Sequence, residues 1–516
     1  MSLHFARCSL LAWICLVSLP SHGFFDLVNI ESGTALSQTV VTVRKQTQSR
    51  ADVFVFSVVS ERERRVAGYR ASNDYAEALV DQVLPKDVIF VDTGNWHGEA
   101  VLLMFTASEA YIFDPWTGSK QTILHHSSIY HAVVHDHLPR IDLFRDINGD
   151  GLDDFLIPTF TGYLVATQLP NGEFTHPLAL EAPPLLDLTY NNNPWYQAKE
   201  LFLVDMTLDS RDDITFWVNG EFYIYPQLAN GEFSGEVIKT TSNIPFDFDG
   251  FDGMSVRMSD EDQSDKLVTV LHGLKDLDGD GLTDLVTMSV KSDGVFDKKT
   301  TIRYYRGRPG VALDDSGSNT ISGVNGDDSA GYELVTFDAE ETSSMQSKGI
   351  QYELEIRDIN GDEQIDIVVS SIEIGIGRII RALLTSSIKI DLGFYQMVDG
   401  VYPDKPQKVQ QITAKFDMST GEVWFPSVLL LDVNDDGIED LLVQKGEHSL
   451  MVYQGQQGKK MFSGKEIEIE VSMPQDPEFV YKTMVNNDQT QDIVMKIPPP
   501  ISNKEGPHRV ILLISN

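Results

Sequence analysis

Asp276, Asp278, Asp280 and Asp284 stand at positions 1, 3, 5 and 9 of the stretch Asp276-Leu277-Asp278-Gly279-Asp280-Gly281-Leu282-Thr283-Asp284. Ionised carboxylates this close together raise one another's pKa or push the loop open unless a cation sits among them. Such an all-oxygen set selects a hard cation. Ca2+ takes roughly six to eight oxygens in flexible geometry, whereas Mg2+ demands a near-ideal octahedron and fits less well. Gly281 at position 6 permits the sharp turn that would let the Leu282 carbonyl join the side chains.

The pattern recurs along the chain. Asp146, Asn148, Asp150, Gly151 and Asp154 repeat it, with the Leu152 carbonyl at position 7. Asp358, Asn360, Asp362 and Asp366 repeat it with Glu363 in place of the glycine, and Asp432, Asn434, Asp436, Gly437, Ile438 and Asp440 repeat it in full. A fifth copy, Asp205, Thr207, Asp209 and Asp213, has Ser210 for glycine and a hydroxyl for one carboxylate, so weaker binding is expected there. Near Asp92 and near Asn487-Asp488-Gln489-Thr490-Gln491-Asp492 the setting survives without most of the ligands. An EF-hand loop begins in the same way but needs a bidentate Glu at position 12 and a helix on each side. Here position 12 is Ile157, Thr287, Val369 and Val443, and each loop runs straight into a short apolar segment of strand character such as Phe155-Leu156-Ile157.

On these four copies of D-x-[DN]-x-D-x-x-x-D, three with glycine at position 6, the chain resembles the FG-GAP/VCBS repeat family, the blades of integrin-α-type β-propellers, over roughly residues 85 to 500. The resemblance implies an all-β propeller whose calcium loops join the first and second strands of each blade, with Ca2+ in about four sites. Counting Asp92, Asp146, Asp205, Asp276, Asp358, Asp432 and about Asn486 gives seven recurrences, hence an expectation of seven blades. A second repeat supports the register. Gln168-Leu169-Pro170-Asn171-Gly172-Glu173-Phe174 returns as Gln227-Leu228-Ala229-Asn230-Gly231-Glu232-Phe233, and Asn-Gly is a hairpin turn suited to the link between third and fourth strands. Tyr163, Tyr223, Tyr304, Tyr395 and Tyr453 fall in the expected third strands and read as packing residues. N-terminal strand material is expected to complete the last blade, since an open ring would leave a free edge.

A chain of 516 residues with 42% hydrophobic content can bury a large core. Residues 1–23 read as a secretory signal, with Arg7, an apolar stretch from Ser9 to Leu19 and the breaker Pro20, the alternative being an uncleaved anchor. Residues 24–516 would then form one propeller domain. No later segment reaches about 18 apolar residues, so no membrane span is expected in the mature chain. Both cysteines, Cys8 and Cys15, lie inside the signal, which points to an exported bacterial protein, periplasmic, secreted or at the cell surface, held by core and metal rather than disulfides. The formal charge of -37 argues against nucleic acid and anionic membrane surfaces as partners.

With calcium loops on one face, the loops joining strands 2 to 3 and each blade to the next fall on the other, which is the face expected to take a protein or polysaccharide ligand. That side would carry His125, His126, His131, His135 and His137, the stretches Tyr190–Tyr196 and Phe246–Asp252, and a helical insertion, Gly375–Leu384, in the fifth blade. The histidines form either a solvated loop or a transition-metal site; their spacing matches no fixed ligand pattern. The chain has no Gly-x-Ser-x-Gly elbow, phosphate loop, His-Glu-x-x-His helix or cysteine nucleophile. With the resemblance to the repeat family, which implies binding of another macromolecule, a non-catalytic binding module is therefore expected. The rivals are a lyase or hydrolase acting on polysaccharide or a phosphate ester, and a purely structural surface protein.

Overall fold

The computed structural model describes residues 24–515, apart from 73–75, 132, 188–194, 243, 246–266, 293–297, 312–332, 374–375, 417–422, 487, 489 and 501–505. The signal-like segment, Phe246–Asp252 and most of Tyr190–Tyr196 lie outside the described residues. The described strands pair into eight antiparallel blades, seven four-stranded and one five-stranded, together with two separate two-stranded hairpins. The expectation of seven is thus corrected to eight. The blade absent from the count is the first, built from Ser37–Val43, Asp52–Ser60, Glu63–Ala71 and Ala76–Val83. All seven counted positions map onto blades 2 to 8.

The apolar runs form strands because each blade is covered on both sides. In the second strand of blade 1, Val53 and Val55 pack with Val494 and Leu512 of blade 8, whereas Phe54, Phe56 and Val58 pack with Met104 and Tyr111 of blade 2. Successive side chains of a strand point to opposite faces, so a run with two buried faces reads as continuously apolar. Burying one such side chain fully contributes about 1.5–3 kcal/mol. Phe155 and Ile157 likewise face blade 2, and Leu156 faces blade 4. The ring closes through Phe25–Gly33, which pairs antiparallel with His508–Ser515 as the outermost strand of blade 8, beside Asp492–Ile497 and Val480–Thr483.

Strand order places the Asp146, Asp205, Asp276, Asp358 and Asp432 loops between first and second strands. Hydrogen bonds join these loops along one rim. Ile365 N–H donates to the Leu277 carbonyl (2.8 Å), Glu439 N–H to the Ile359 carbonyl (2.9 Å), and the Thr283 hydroxyl to the Asp205 carbonyl (2.8 Å). Side chains from the next blade add to the seam, as when Gln227 donates to the Asn148 carbonyl (2.7 Å) and Gln457 to the Asn360 carbonyl (2.8 Å). In an antiparallel blade the links from second to third strand and from blade to blade emerge at the other end. Helix α1, Ile376–Thr385, sits in such a link. With the first blade counted it belongs to blade 6, between Asp366–Ile372 and Ser387–Tyr395, and not to the fifth.

Candidate metal loops and the opposite groove

Each acidic loop is wound by the same backbone device. In blade 5, Asp276 accepts from Gly279 N–H and Gly281 N–H (both 2.9 Å), Asp278 from Asp280 N–H (3.2 Å) and Asp280 from Leu282 N–H (2.9 Å). In blade 3, Asp146 takes Gly149 and Gly151 N–H, Asn148 takes Asp150 N–H, and Asp150 takes Leu152 N–H. Asp358, Asn360 and Asp362 repeat the series, as do Asp432, Asn434 and Asp436, the latter meeting Ile438 N–H. The winding requires left-handed backbone at positions 4 and 6. Gly279 and Gly281 supply it at φ 75° and 84°, whereas Glu363 (67°) and Ser210 (65°) are held there against the preference of an L-residue.

Position 9 plays a part that spacing alone did not separate from ligation. Asp154, Asp213, Asp284, Asp366, Asp440 and Asp492 are fully buried, each as the first residue of a second strand. One oxygen of each accepts the N–H of position 2, from Ile147, Met206, Leu277, Ile359, Val433 and Val485. The other accepts an N–H at or just beyond the end of the third strand, from Gln168, Gln227, Gly307, Met397, Gly455 and Ser515. These aspartates clamp loop to blade. Burial pushes the carboxyls of Asp154, Asp284 and Asp366 up to about 7, and those of Asp213 and Asp440 up to about 6.

Among the described residues, Asp276, Asp278 and Asp284 are the one group of three or more His, Cys, Asp or Glu side chains whose potential ligand atoms all lie within 4.8 Å of one another. In blades 3, 6 and 7 an asparagine stands at position 3. The histidines from His125 to His137 form no such group; His131 stacks on Phe160 with ring centroids 5.7 Å apart. Tyr304, from the third strand of blade 5, donates to Asp278 and Asp284 (both 3.3 Å), and Arg306 pairs with Asp278. In the degenerate loop of blade 4, Arg211 pairs with Asp209 and donates to the Gln227 carbonyl (3.0 Å). In both loops an arginine thus pairs with one carboxylate.

Blade 1 holds the residues that the carboxylate pattern could not find. Arg44 to Asp52 has the same nine-residue frame, since Ala51 N–H at position 8 donates to the Val485 carbonyl at position 2 of blade 8 (2.5 Å). Ile365 and Glu439 make the matching bonds in their own loops. Positions 1, 3 and 5 are Arg44, Gln46 and Gln48, and Asp52 is held by Arg70 in a two-pronged ion pair (2.9 and 3.1 Å) and by Gln48 (3.0 Å). The available signal was Asp52 heading Val53-Phe54-Val55-Phe56, as Asp154 heads Phe155-Leu156-Ile157. Blade 2 has no loop at all. Its first two strands, Phe90–Trp96 and Glu99–Phe105, meet across His97-Gly98, and buried Asp92 accepts Leu143 and Phe144 N–H instead.

The other face carries a groove of about 960 Å³ across blades 6, 7 and 8. Its lining includes Trp424, Phe425, Phe479 and the run Pro498-Pro499-Pro500. A smaller recess of about 180 Å³ continues from it, sharing Trp424, Phe425, Glu447 and Gln475.

No family model matches the chain, and no curated protein matches it. Among solved structures, a lectin from Agrocybe aegerita that recognises non-reducing terminal N-acetylglucosamine is 14% identical, with a TM-score of 0.36 over 83% of this chain and 94% of the lectin. The Vibrio cholerae biofilm matrix protein Bap1 is 12% identical, with a TM-score of 0.37 over 94% of this chain and 88% of that one. Sqt1 from Chaetomium thermophilum is 9% identical, with a TM-score of 0.38 over 96% of this chain and 99% of its own. The assignment of this chain as an all-β propeller rests on its strand pairing.

Proposed function

We propose that the chain is an exported, calcium-stabilised propeller of the FG-GAP/VCBS repeat type, acting as a non-catalytic binding module for a protein or polysaccharide on the face opposite the acidic loops. One observation carries the reading: the carboxylates of Asp276, Asp278 and Asp284 converge within 4.8 Å in a loop whose backbone winds around them. Arg306 answers one of these carboxylates; the remaining ones call for a further cation, and an all-oxygen donor set fits calcium. The residues that would hold it are Asp276, Asp278, Asp280, Asp284 and the Leu282 carbonyl. Corresponding sets are Asp146, Asn148, Asp150, Leu152 and Asp154 in blade 3, Asp358, Asn360, Asp362 and Asp366 in blade 6, and Asp432, Asn434, Asp436, Ile438 and Asp440 in blade 7. A bound ion would supply positive charge at the rim and tie each loop in its wound form. Export is supported by the signal-like residues 1–23 and by both cysteines lying within them. The position-9 carboxylates are held in place by two backbone N–H groups each, which fixes them at the base of the loop.

Calorimetric titration of chelator-treated protein is the test. About four equivalents of Ca2+ should bind, with Mg2+ weaker, as oxygen-rich flexible sites predict. Asp150→Ala should remove one equivalent. Absence of saturable calcium uptake would defeat the proposal.

A further inference from the structure

We infer that the groove across blades 6, 7 and 8 docks an extended, proline-rich, cationic segment of a partner protein. The inference rests on the reading of this face as the partner-binding one. At about 960 Å³ the groove lies at the upper end of ligand-pocket sizes, which run to roughly 1,000 Å³, and it spans three blades. It therefore suits a length of chain rather than a single ring. Its apolar lining is ring and proline surface, from Trp424, Phe425, Phe479 and the Pro498-Pro499-Pro500 run. Aromatic-lined grooves of this kind take polyproline II segments, which are stiff before they bind and so lose little entropy.

Two polar side chains beside the aromatic lining are held by the fold. Gln444, in the smaller recess, accepts from Ser427 N–H (2.9 Å) and donates to the Gly446 and Pro474 carbonyls (2.9 and 2.8 Å), and Asp476, in the groove, accepts Glu478 N–H (3.0 Å). These two side chains are engaged within the fold. What the groove offers is ring and proline surface, edged by charge. Glu447, Asp476 and Glu478 line it against Arg509. Lys415 lies 3.7 Å from Glu447 at the exposed rim, and Lys496 is turned over the Phe479 ring (4.4 Å) with its ammonium donating to the Gln38 carbonyl. The groove's own lining carries three acids against one arginine, and on a chain of formal charge -37 that excess favours cationic partners.

The test uses the full chain with calcium present and fluorescence anisotropy of labelled decapeptides. One peptide carries Pro-Leu-Pro repeats with two arginines; its control has glutamates in place of the arginines. A neutral β-linked oligosaccharide serves as competitor. The arginine peptide should bind saturably and the glutamate peptide about tenfold more weakly or worse. Trp424→Ala should weaken the arginine peptide by about tenfold, as loss of an aromatic anchor does. The double variant Glu447→Lys, Glu478→Lys changes only exposed side chains and should invert the preference between the peptides. Equal binding of both peptides, or binding unchanged in both variants, would overturn the inference. Capture of the oligosaccharide with neither peptide bound would overturn it while leaving the partner-binding reading of the face intact. Binding of none of the probes would also overturn it, and an undisturbed calcium titration would then keep the calcium reading separate from its failure.

Discussion

The loops of blade 5 and blade 1 are two solutions to one problem. Each spans nine residues between first and second strands, and each ends on a buried aspartate that heads the second strand. In blade 5 that aspartate is clamped by backbone N–H groups and faces further carboxylates, of which Arg306 pairs with Asp278 alone, so the loop gathers negative charge. In blade 1 the carboxylates are replaced by Arg44, Gln46 and Gln48, and Asp52 is neutralised by the guanidinium of Arg70. The comparison teaches that the frame belongs to the fold and the charge to the individual loop. Blade 4 lies between them, with Arg211 on Asp209.

The largest way to sharpen the contrast is pH. Asp154, Asp284 and Asp366 have carboxyls raised to about 7 by burial, against an unfolded value near 3.9. In chelator the folded state therefore holds more protons than the unfolded chain between about pH 4 and pH 7, and stability falls as pH rises through that window. With excess calcium the sign should reverse, because ligands must lose their protons to bind. Urea midpoints at pH 5 and pH 8, with and without Ca2+, should cross; parallel curves would separate these loops from calcium.

Next in size is removal of a clamp where the acidic ligands are mostly missing. Asp492→Ala strips the acceptor from Val485 and Ser515 N–H, and two orphaned buried donors cost about 3 kcal/mol in all. The loss should be the same with and without EDTA, as a shift in the urea midpoint will show. A loss that depends on EDTA would mean that this loop, too, holds metal.

Arg70→Met tests blade 1. Asp52 keeps 2% of its side-chain exposure and Arg70 keeps 44%, so solvent screening reduces the cost of an unpaired buried carboxylate to about 1–2 kcal/mol. Thermal melts should show the destabilisation, with no response to calcium. The smallest effect is expected from Glu363→Gly. Relief of left-handed strain of about 1–2 kcal/mol, offset by the flexibility of glycine in the unfolded chain, should leave a gain of about 0.5 kcal/mol, read from the same melts.

How far the sequence carried this picture follows from the same comparison. The seven positions from Asp92 to Asn486 marked seven real blades, because a carboxylate at the head of a buried strand leaves a visible trace. Blade 1 escaped for a physical reason: its loop exchanged acid for amide and guanidinium, so that only Asp52 and the apolar run after it remained as signal. The Asn-Gly turns were legible too, with Gly172 and Gly231 at φ 80° and 85° between third and fourth strands. Tyr304 was legible as a buried third-strand residue but not as a donor to Asp278, since a contact across the blade has no sequence spacing. The groove was the least visible part. Its residues come from segments as far apart as Trp424 and Arg509, and only the ring brings them side by side.

The central claim is that calcium ties the acidic loops into the rim. Ions that bind the folded chain alone stabilise it by about 2.7 kcal/mol per independent site at one hundred times Kd. The most direct measurement is a thermal melt of the wild type and of Asp280→Ala and Asp209→Ala at fixed ionic strength, with EDTA, with Ca2+ and with Mg2+. The account predicts that EDTA lowers the wild-type Tm substantially and that Ca2+ restores it better than Mg2+. It also predicts that Asp280→Ala costs more than Asp209→Ala, whose carboxylate is already held by Arg211. A wild-type melt unchanged by EDTA, under conditions shown to strip the metal, would contradict it.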